Sequence, residues 1–295
     1  MGIIQSVSEV IVDEKGKEIM EQDRHAFPVI VNDGDIHQYI GGCIMAHWHP
    51  EWEIYVQQDG TALLDIQGER IKLSPGEGCF INAGILHCFR AKNAHPCRYR
   101  SFVFDSSLVA GVPGSVFDLT YVTPVEQVGP AFLKFEQTEE NAPYFTAFQR
   151  AFQACVMMEP GYEFQVRDAF SEITLFLCGK TERSSQRASE SIQEMHIKEM
   201  MSWMESHLTE PLTLKEIAAS VHLSPRECQR IFKAYLHRTP MEYLQWRRIL
   251  AAADDLRNTN EEIMTIALNY QFSSPGYFSK RFKGYTGLTP TEYRR

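Results

Sequence analysis

Residues 223–243, LSPRECQRIFKAYLHRTPMEY, and residues 272–293, FSSPGYFSKRFKGYTGLTPTEY, decide the reading of this chain because they are two copies of one pattern. Ile217-Ala218 leads into the first copy as Ile266-Ala267 leads into the second. Phe232-Lys233, Tyr235, Thr239-Pro240, Glu242 and Tyr243 are matched by Phe282-Lys283, Tyr285, Thr289-Pro290, Glu292 and Tyr293. The offset is 49 residues before the turn and 50 after it, so the second copy carries one extra residue there. A repeat of this length marks one supersecondary unit used twice.

Each copy spells helix, tight turn, helix. In the first, Thr213 and Glu216 are spaced as a capping box, and Ile217, Ala218 and Val221 form the apolar stripe. His222-Leu223 is the turn. Ser224-Pro225-Arg226-Glu227 opens the next helix with a capping Ser, a Pro where no N–H is needed, and Glu at the third position. That spacing turns Cys228, Ile231 and Phe232 inward and Arg226, Gln229, Arg230 and Lys233 outward. An apolar inner face with a donor-rich outer face suits a DNA major groove, where Arg pairs bidentately with guanine and Gln with adenine. In the second copy Ser274-Pro275 opens the helix, Phe278 and Phe282 face inward, and Tyr277, Ser279, Lys280 and Lys283 face outward. Between the copies, Thr239-Pro240-Met241-Glu242 caps a helix to about Arg257, a stiff connector able to place both units roughly 34 Å apart on one DNA face. A single unit of this kind is often only a packed hairpin; two with matched caps and basic outer faces point to double-stranded DNA.

The chain has 295 residues, enough for two domains, and its 44% hydrophobic content supports a sizeable core. Its net charge of −9 is unevenly spread. Residues 1–195 carry 15 basic against 27 acidic side chains, and residues 196–295 carry 14 against 11, a balance of +3. The asymmetry predicts two domains with different partners. Seven scattered cysteines without a CxxC pair argue against a disulfide framework and for a reducing cytoplasm. Neither a targeting segment nor an apolar run near the roughly 20 residues of a membrane span is present, so no membrane partner is expected.

Residues from about 28 to 105 read as short strands broken by turns such as Asp59-Gly60, Gln67-Gly68 and Ser74-Pro75-Gly76, the pattern of a sandwich or barrel. From about 144 the period becomes helical. Phe145, Phe148, Ala151, Phe152 and Cys155 form one stripe; Val166, Ala169, Phe170, Ile173 and Leu177 form another. This pair either covers its own barrel or forms a homodimer seam. Residues 179–191, GKTERSSQRASES, read as a linker. The expected division is a β-barrel over 1–138, the helical pair over 139–178, the linker, and an all-α DNA-binding domain over 192–295: a multi-domain α+β chain.

Within GGCIMAHWHPEWEIYVQQDG, residues 41–60, His47, His49 and Glu53 share strand parity, and His87 arrives from a later strand. Three imidazoles and a carboxylate inside a barrel can bind a divalent first-row metal. The preferred reading is that they hydrogen-bond a polar effector such as a sugar; the bland one is that they simply support the strands. Trp48 and Trp52 have the opposite parity and read as core. Met195, Met200, Met201 and Met204 read as helix packing. His25, His37, His95, His196, His207 and His237 show no partner pattern. No phosphate loop, nucleophile elbow or paired-Cys zinc motif is present, and no enzyme is expected.

Residues from about 212 to 295 resemble the DNA-binding domain of AraC/XylS-type regulators, most closely in the terminal FSKRFKGYTGLTPTEYR. The resemblance implies base contacts from Arg226, Gln229 and Arg230 in the first reading helix and from Pro275, Gly276, Tyr277 and Lys280 in the second; Lys233, Ser274 and Lys283 on the same helices are further candidate DNA contacts. It further implies transcription regulation, commonly activation beside RNA polymerase, and an effector pocket at His47, His49, Glu53 and His87. The spacing around these four residues resembles both cupin motifs, with Asn82 in place of the usual Pro and Ala91 in place of the usual Asn. No cofactor is required by the resemblance; a divalent metal at the four residues, in a sensor or in a cupin-type enzyme, is the alternative. The family commonly has Gly where this chain has His222 and Gln271 in its tight turns, and Pro275-Gly276 supplies no side-chain donors, which makes the second helix the weaker reader.

Overall fold

Strong alternation in the N-terminal half and capped amphipathic helices in the C-terminal half produce two kinds of structure in one chain. The computed structural model describes residues 4–5, 27–93, 96–181 and 191–295, and all structural statements concern these residues; His25 and His95 lie outside them. The strands are β1 (Ile4–Gln5), β2 (Val29–Asp35), β3 (Cys43–His47), β4 (Trp52–Gln57), β5 (Ala62–Ile66), β6 (Glu69–Leu73), β7 (Gly78–Ile81), β8 (His87–Ala91), β9 (Arg98–Phe104) and β10 (Phe132–Phe135). They form a six-stranded sheet in the order β1-β2-β9-β4-β7-β10 and a four-stranded sheet in the order β3-β8-β5-β6.

The two sheets share an apolar interior of Ile44, Tyr55, Leu64, Cys79, Ile81, Phe89 and Tyr99, among others. Each sheet therefore has a second face to cover. Along β4, Glu53, Tyr55 and Gln57 point into the interior, while Trp52, Ile54 and Val56 belong to a different core outside it. After β9 come the short helices α1 (Ser107–Ala110) and α2 (Thr123–Val128), then the helical pair α3 (Ala142–Met157) and α4 (Tyr162–Thr181). The pair covers the outer face of the six-stranded sheet: the Phe102 ring meets Phe148, Phe152 and Phe170 edge-on. Tyr144 of α3 donates to Cys79 O at 2.8 Å and accepts from Tyr55 N at 3.1 Å. This approach depends on Gly78, where an added Cβ would stand 2.7 Å from Tyr55 O and 2.9 Å from the Tyr144 ring. Of the two fates open to the stripes, covering the barrel is the one realised. Gly179, Lys180 and Thr181, read as the start of the linker, instead complete α4; residues 182–190 lie outside the described residues.

The C-terminal region comprises α5 (Ile192–Ser206), α6 (Leu214–Ala219), α7 (Pro225–Leu236), α8 (Pro240–Asn258), α9 (Ile263–Asn269), α10 (Pro275–Thr286) and α11 (Pro290–Arg294). Capping boxes open α6 at Thr213/Glu216, α8 at Thr239/Glu242 and α11 at Thr289/Glu292, as the S/T-x-x-E spacings require. Cys228, Ile231 and Phe232 of α7, and Phe278 and Phe282 of α10, are buried. Met200, Met201 and Met204 of α5 pack as expected, whereas Met195 is exposed. The first unit's core runs on without a break into Cys43, Met45, Ala46, Leu86 and Cys88, which lie on the outer side of the four-stranded sheet. All seven cysteines are free thiols.

Both tight turns are left-handed without glycine: φ is +57° at His222 and +62° at Gln271. An L-residue there costs about 1–2 kcal/mol, part of which glycine returns through the greater freedom of its unfolded chain. The Gln271 side chain recovers some of this by donating to Thr209 O at 2.6 Å. His222→Gly should therefore stabilise the chain by about 0.5–1 kcal/mol in denaturant unfolding. Gln271→Gly should gain less, because it also removes that hydrogen bond.

Candidate functional site

His47 closes β3, His87 opens β8, and the two are cross-strand partners in the four-stranded sheet. Their ring centroids are 4.3 Å apart. Glu53 comes from β4 in the facing sheet, and His49 from the connection between β3 and β4. The shared parity of His47, His49 and Glu53 thus spans a change of sheet, and the four residues converge because the sheets face each other. All four are buried, and one ligand atom from each falls within 4.8 Å of the others.

Backbone carbonyls orient the rings. The Nδ1 atoms of His47, His49 and His87 lie 2.7, 3.0 and 2.8 Å from Met45 O, Glu51 O and Ile85 O respectively. A carbonyl only accepts, so Nδ1 carries the proton in each ring and Nε2 is the remaining basic site. His87 Nε2 stands 3.1 Å from Glu53 Oε2, and His49 Nε2 stands 3.7 Å from the same oxygen. A neutral ring would aim a lone pair at a carboxylate across these gaps. A cation between them, either a proton or a metal ion, removes the repulsion. Burial would raise the Glu53 carboxyl, but His49 and His87 more than offset it and hold it well below the ordinary carboxylate range. Burial, reinforced by His87 and His49, depresses His47 well below its ordinary value, which keeps that ring neutral and available as a ligand. Beyond the cluster, Tyr55 stacks between Phe89 at 4.5 Å and Tyr99 at 5.3 Å, so side chains occupy the interior there.

Most of the residues expected to face DNA are exposed, as the periodicity requires. Arg226, Gln229, Arg230 and Lys233 are exposed on α7, and Pro275, Gly276, Tyr277, Lys280 and Lys283 are exposed on α10. Ser274 serves as the α10 cap, accepting from Tyr277 N at 3.2 Å, and Ser279 is half-buried rather than outward. Glu227 holds Arg230 through Nε at 2.9 Å and Nη2 at 2.6 Å, so this guanidinium is oriented before any DNA arrives. The Tyr277 hydroxyl is fixed by Gln245 Nε2 of α8 at 2.6 Å, a contact no local spacing reveals.

Sequence reasoning also missed the polar groups between barrel and helices. Asp65 of β5 is fully buried; Arg70 binds it bidentately at 2.6 and 2.9 Å, and Arg90 adds a bond at 3.1 Å. His237, at the end of α7, brings Nε2 to within 3.4 Å of it. Trp52 is core, as its parity predicts, but Trp48 packs against the helical side.

The family profile described as "AraC-like ligand binding domain" matches residues 43–154, and that described as "Helix-turn-helix domain" matches residues 217–295. The chain is 27% identical to YdeC of Bacillus subtilis, an HTH-type transcriptional regulator, over 97% of this chain and 98% of that one. It is 39% identical to the HTH-type transcriptional activator AarP of Providencia stuartii, over 38% of this chain and 82% of that one. Among solved structures, unsaturated-fatty-acid-bound ToxT of Vibrio cholerae is 13% identical and aligns over 94% of this chain and 97% of that one, with a TM-score of 0.43.

Among the described residues no helix is long and apolar enough to cross a membrane. Asp65→Ala, which leaves Arg70 and Arg90 facing each other without their shared carboxylate, should cost about 3 kcal/mol in denaturant unfolding. A cost near zero would show that water solvates both guanidinium groups.

Proposed function

Since the chain belongs to the AraC family of transcription regulators, we propose that it binds operator DNA through α7 and α10 and takes its effector at His47, His49, Glu53 and His87. The observation that carries the effector assignment is the convergence of the His49 and His87 Nε2 atoms on one buried carboxylate, with the buried His47 ring 4.3 Å from that of His87. An ion about 2.0–2.2 Å from each donor would require the four ligand atoms, which lie within 4.8 Å of one another, to draw together on binding, and an N₃O set of imidazoles and carboxylate suits Zn²⁺, Ni²⁺, Co²⁺ or Fe²⁺. The rings of Tyr55, Phe89 and Tyr99 stack in the interior beside the cluster, which favours a small effector over a sugar, whose pocket takes roughly 300 Å³ or more. The effector is therefore a divalent transition-metal ion, alone or anchoring a small anion. A relative aligned along the chain is named as a regulator, which supports reading the cluster as a sensor rather than a site of turnover.

On DNA, α7 reads bases through Arg226, Gln229, Arg230 and Lys233. Ser274, Pro275, Gly276, Tyr277, Lys280 and Lys283 of α10 hold mainly the phosphate backbone. In this role the protein acts beside RNA polymerase. A homodimer would use the outer faces of α3 and α4, where Phe164 and Leu175 are exposed, since the inner stripes are spent on the sheet.

Chelator-free protein should carry close to one divalent ion per chain by elemental analysis, and added metal should raise Tm. Glu53→Gln and His87→Ala should abolish both effects while leaving DNA binding measurable. Protein that neither retains nor is stabilised by any of these ions would sink the metal assignment. Against DNA selected from a random pool, Arg230→Ala should weaken binding by about 1–3 kcal/mol and relax preference at one or two base pairs. Lys280→Ala should weaken all sequences alike and reduce the salt slope by about one.

A further inference from the structure

The three histidines sit on two short segments, and one helix grips both of them from outside. Glu194 of α5 is fully buried. Its Oε1 accepts from Leu86 N at 2.8 Å, one residue before His87, and its Oε2 accepts from Gln67 Nε2 at 3.2 Å. One turn along α5, Lys198 donates to Gly84 O at 2.5 Å and lies 4.9 Å from the ring centroid of Trp48, the residue between His47 and His49. The two segments are themselves bonded, Gly84 N to His49 O at 2.7 Å. Strand parity explains the arrangement: His47 and His87 point into the barrel, so Ala46, Leu86 and Cys88 point out, into the core built around α5.

The other face of α5 leads to DNA. Met200 meets Cys228 of α7, with 3.5 Å between Sδ and Sγ, and Cys228 lies on the buried side of the helix whose outer side carries Arg226, Gln229 and Arg230. Arg247 of α8 pairs with Glu205 near the end of α5 and reaches Met45 Sδ at 3.0 Å; the carbonyl of that same Met45 orients His47. A shift of the 84–87 segment therefore moves hydrogen-bond partners of α5, a shift of the 47–49 segment moves the Trp48 ring against Lys198, and α5 is packed directly on the first reading helix.

We infer that Glu194 and Lys198 are the coupling residues through which occupancy of the barrel cluster alters DNA binding. The inference rests on reading that cluster as the effector site. Drawing His47, His49 and His87 onto an ion repositions Trp48 and the 84–86 backbone; the buried Glu194 carboxylate and the half-buried Lys198 ammonium, which also face each other at 3.6 Å, follow because losing their barrel hydrogen-bond partners is costly. By linkage, the effect on affinity is the same in both directions.

The experiment uses the full chain, Co²⁺ as probe, and a DNA fragment selected by the chain from a random pool. Visible absorption of Co²⁺ reports site occupancy independently of DNA. Co²⁺ should change the wild-type Kd for DNA about 5–150-fold. In Glu194→Ala and Lys198→Met the Co²⁺ spectrum and stoichiometry should persist while the ratio falls to within about twofold. Glu194→Gln, which still accepts the Leu86 N–H, should restore part of the ratio. Variants with the full wild-type ratio overturn the coupling role. A wild type that shows no Co²⁺ spectrum counts against the effector site itself, and the relay is then read in reverse. DNA should slow hydrogen exchange at the 85–88 amides in the wild type but not in Glu194→Ala; no change in the wild type overturns the relay. Unaltered far-UV circular dichroism establishes that the variants are folded.

Discussion

A β-sheet has two faces, and a barrel made from two sheets buries only one face of each. The remaining two outer faces must be covered, and that requirement organises the whole chain. The outer face of the six-stranded sheet carries Trp52, Ile54, Phe80, Phe102 and Phe104, and it is covered by α3 and α4. The outer side of the four-stranded sheet carries Cys43, Met45, Ala46, Leu86 and Cys88, and it is covered by the helices of the first DNA-reading unit. Apolar burial at about 25 cal/mol per Å² supplies the attraction in both places. Only the second joins the candidate sensor to the candidate reader.

Polar groups give that second seam its register. Apolar side chains alone would tolerate sliding, but Asp65 and Glu194 are fully buried charges that must be met by particular donors. Asp65 is met mainly by arginines of its own sheet, with His237 approaching from α7. Glu194 is met by a barrel backbone N–H and a barrel side chain. In α6, α8 and α11, the Glu of the same S/T-x-x-E spacing turns back to cap its own helix, whereas both oxygens of Glu194 reach the barrel.

Much of the C-terminal architecture is legible because its signals are local. Capping boxes, Pro at the first helical position and the inward spacing of Phe232 and Phe282 act within one or two turns, so their consequences can be read along the chain. The repeat adds a second, independent copy of each signal. His222 and Gln271 stand out on the same local grounds, and both adopt the left-handed backbone their turns demand. The four cluster residues were legible as candidates from side-chain type and parity, though not as members of two facing sheets.

Residue pattern by itself determined the repeat, the two capped reading helices, the outward donors of α7 and the chemistry available to His47, His49, Glu53 and His87. Tertiary structure decided that the α3 and α4 stripes cover the barrel and that Lys198 lies against Trp48. It also decided that Glu194 leaves its own helix to hold Leu86. The reason is physical: periodicity specifies which face of an element is apolar, but not which partner will bury it. Glu194 and Leu86 are 108 positions apart in sequence, and nothing local to either encodes their meeting. That pairing follows only once two separately folded surfaces are packed together and every buried charge among the described residues has to find its donor.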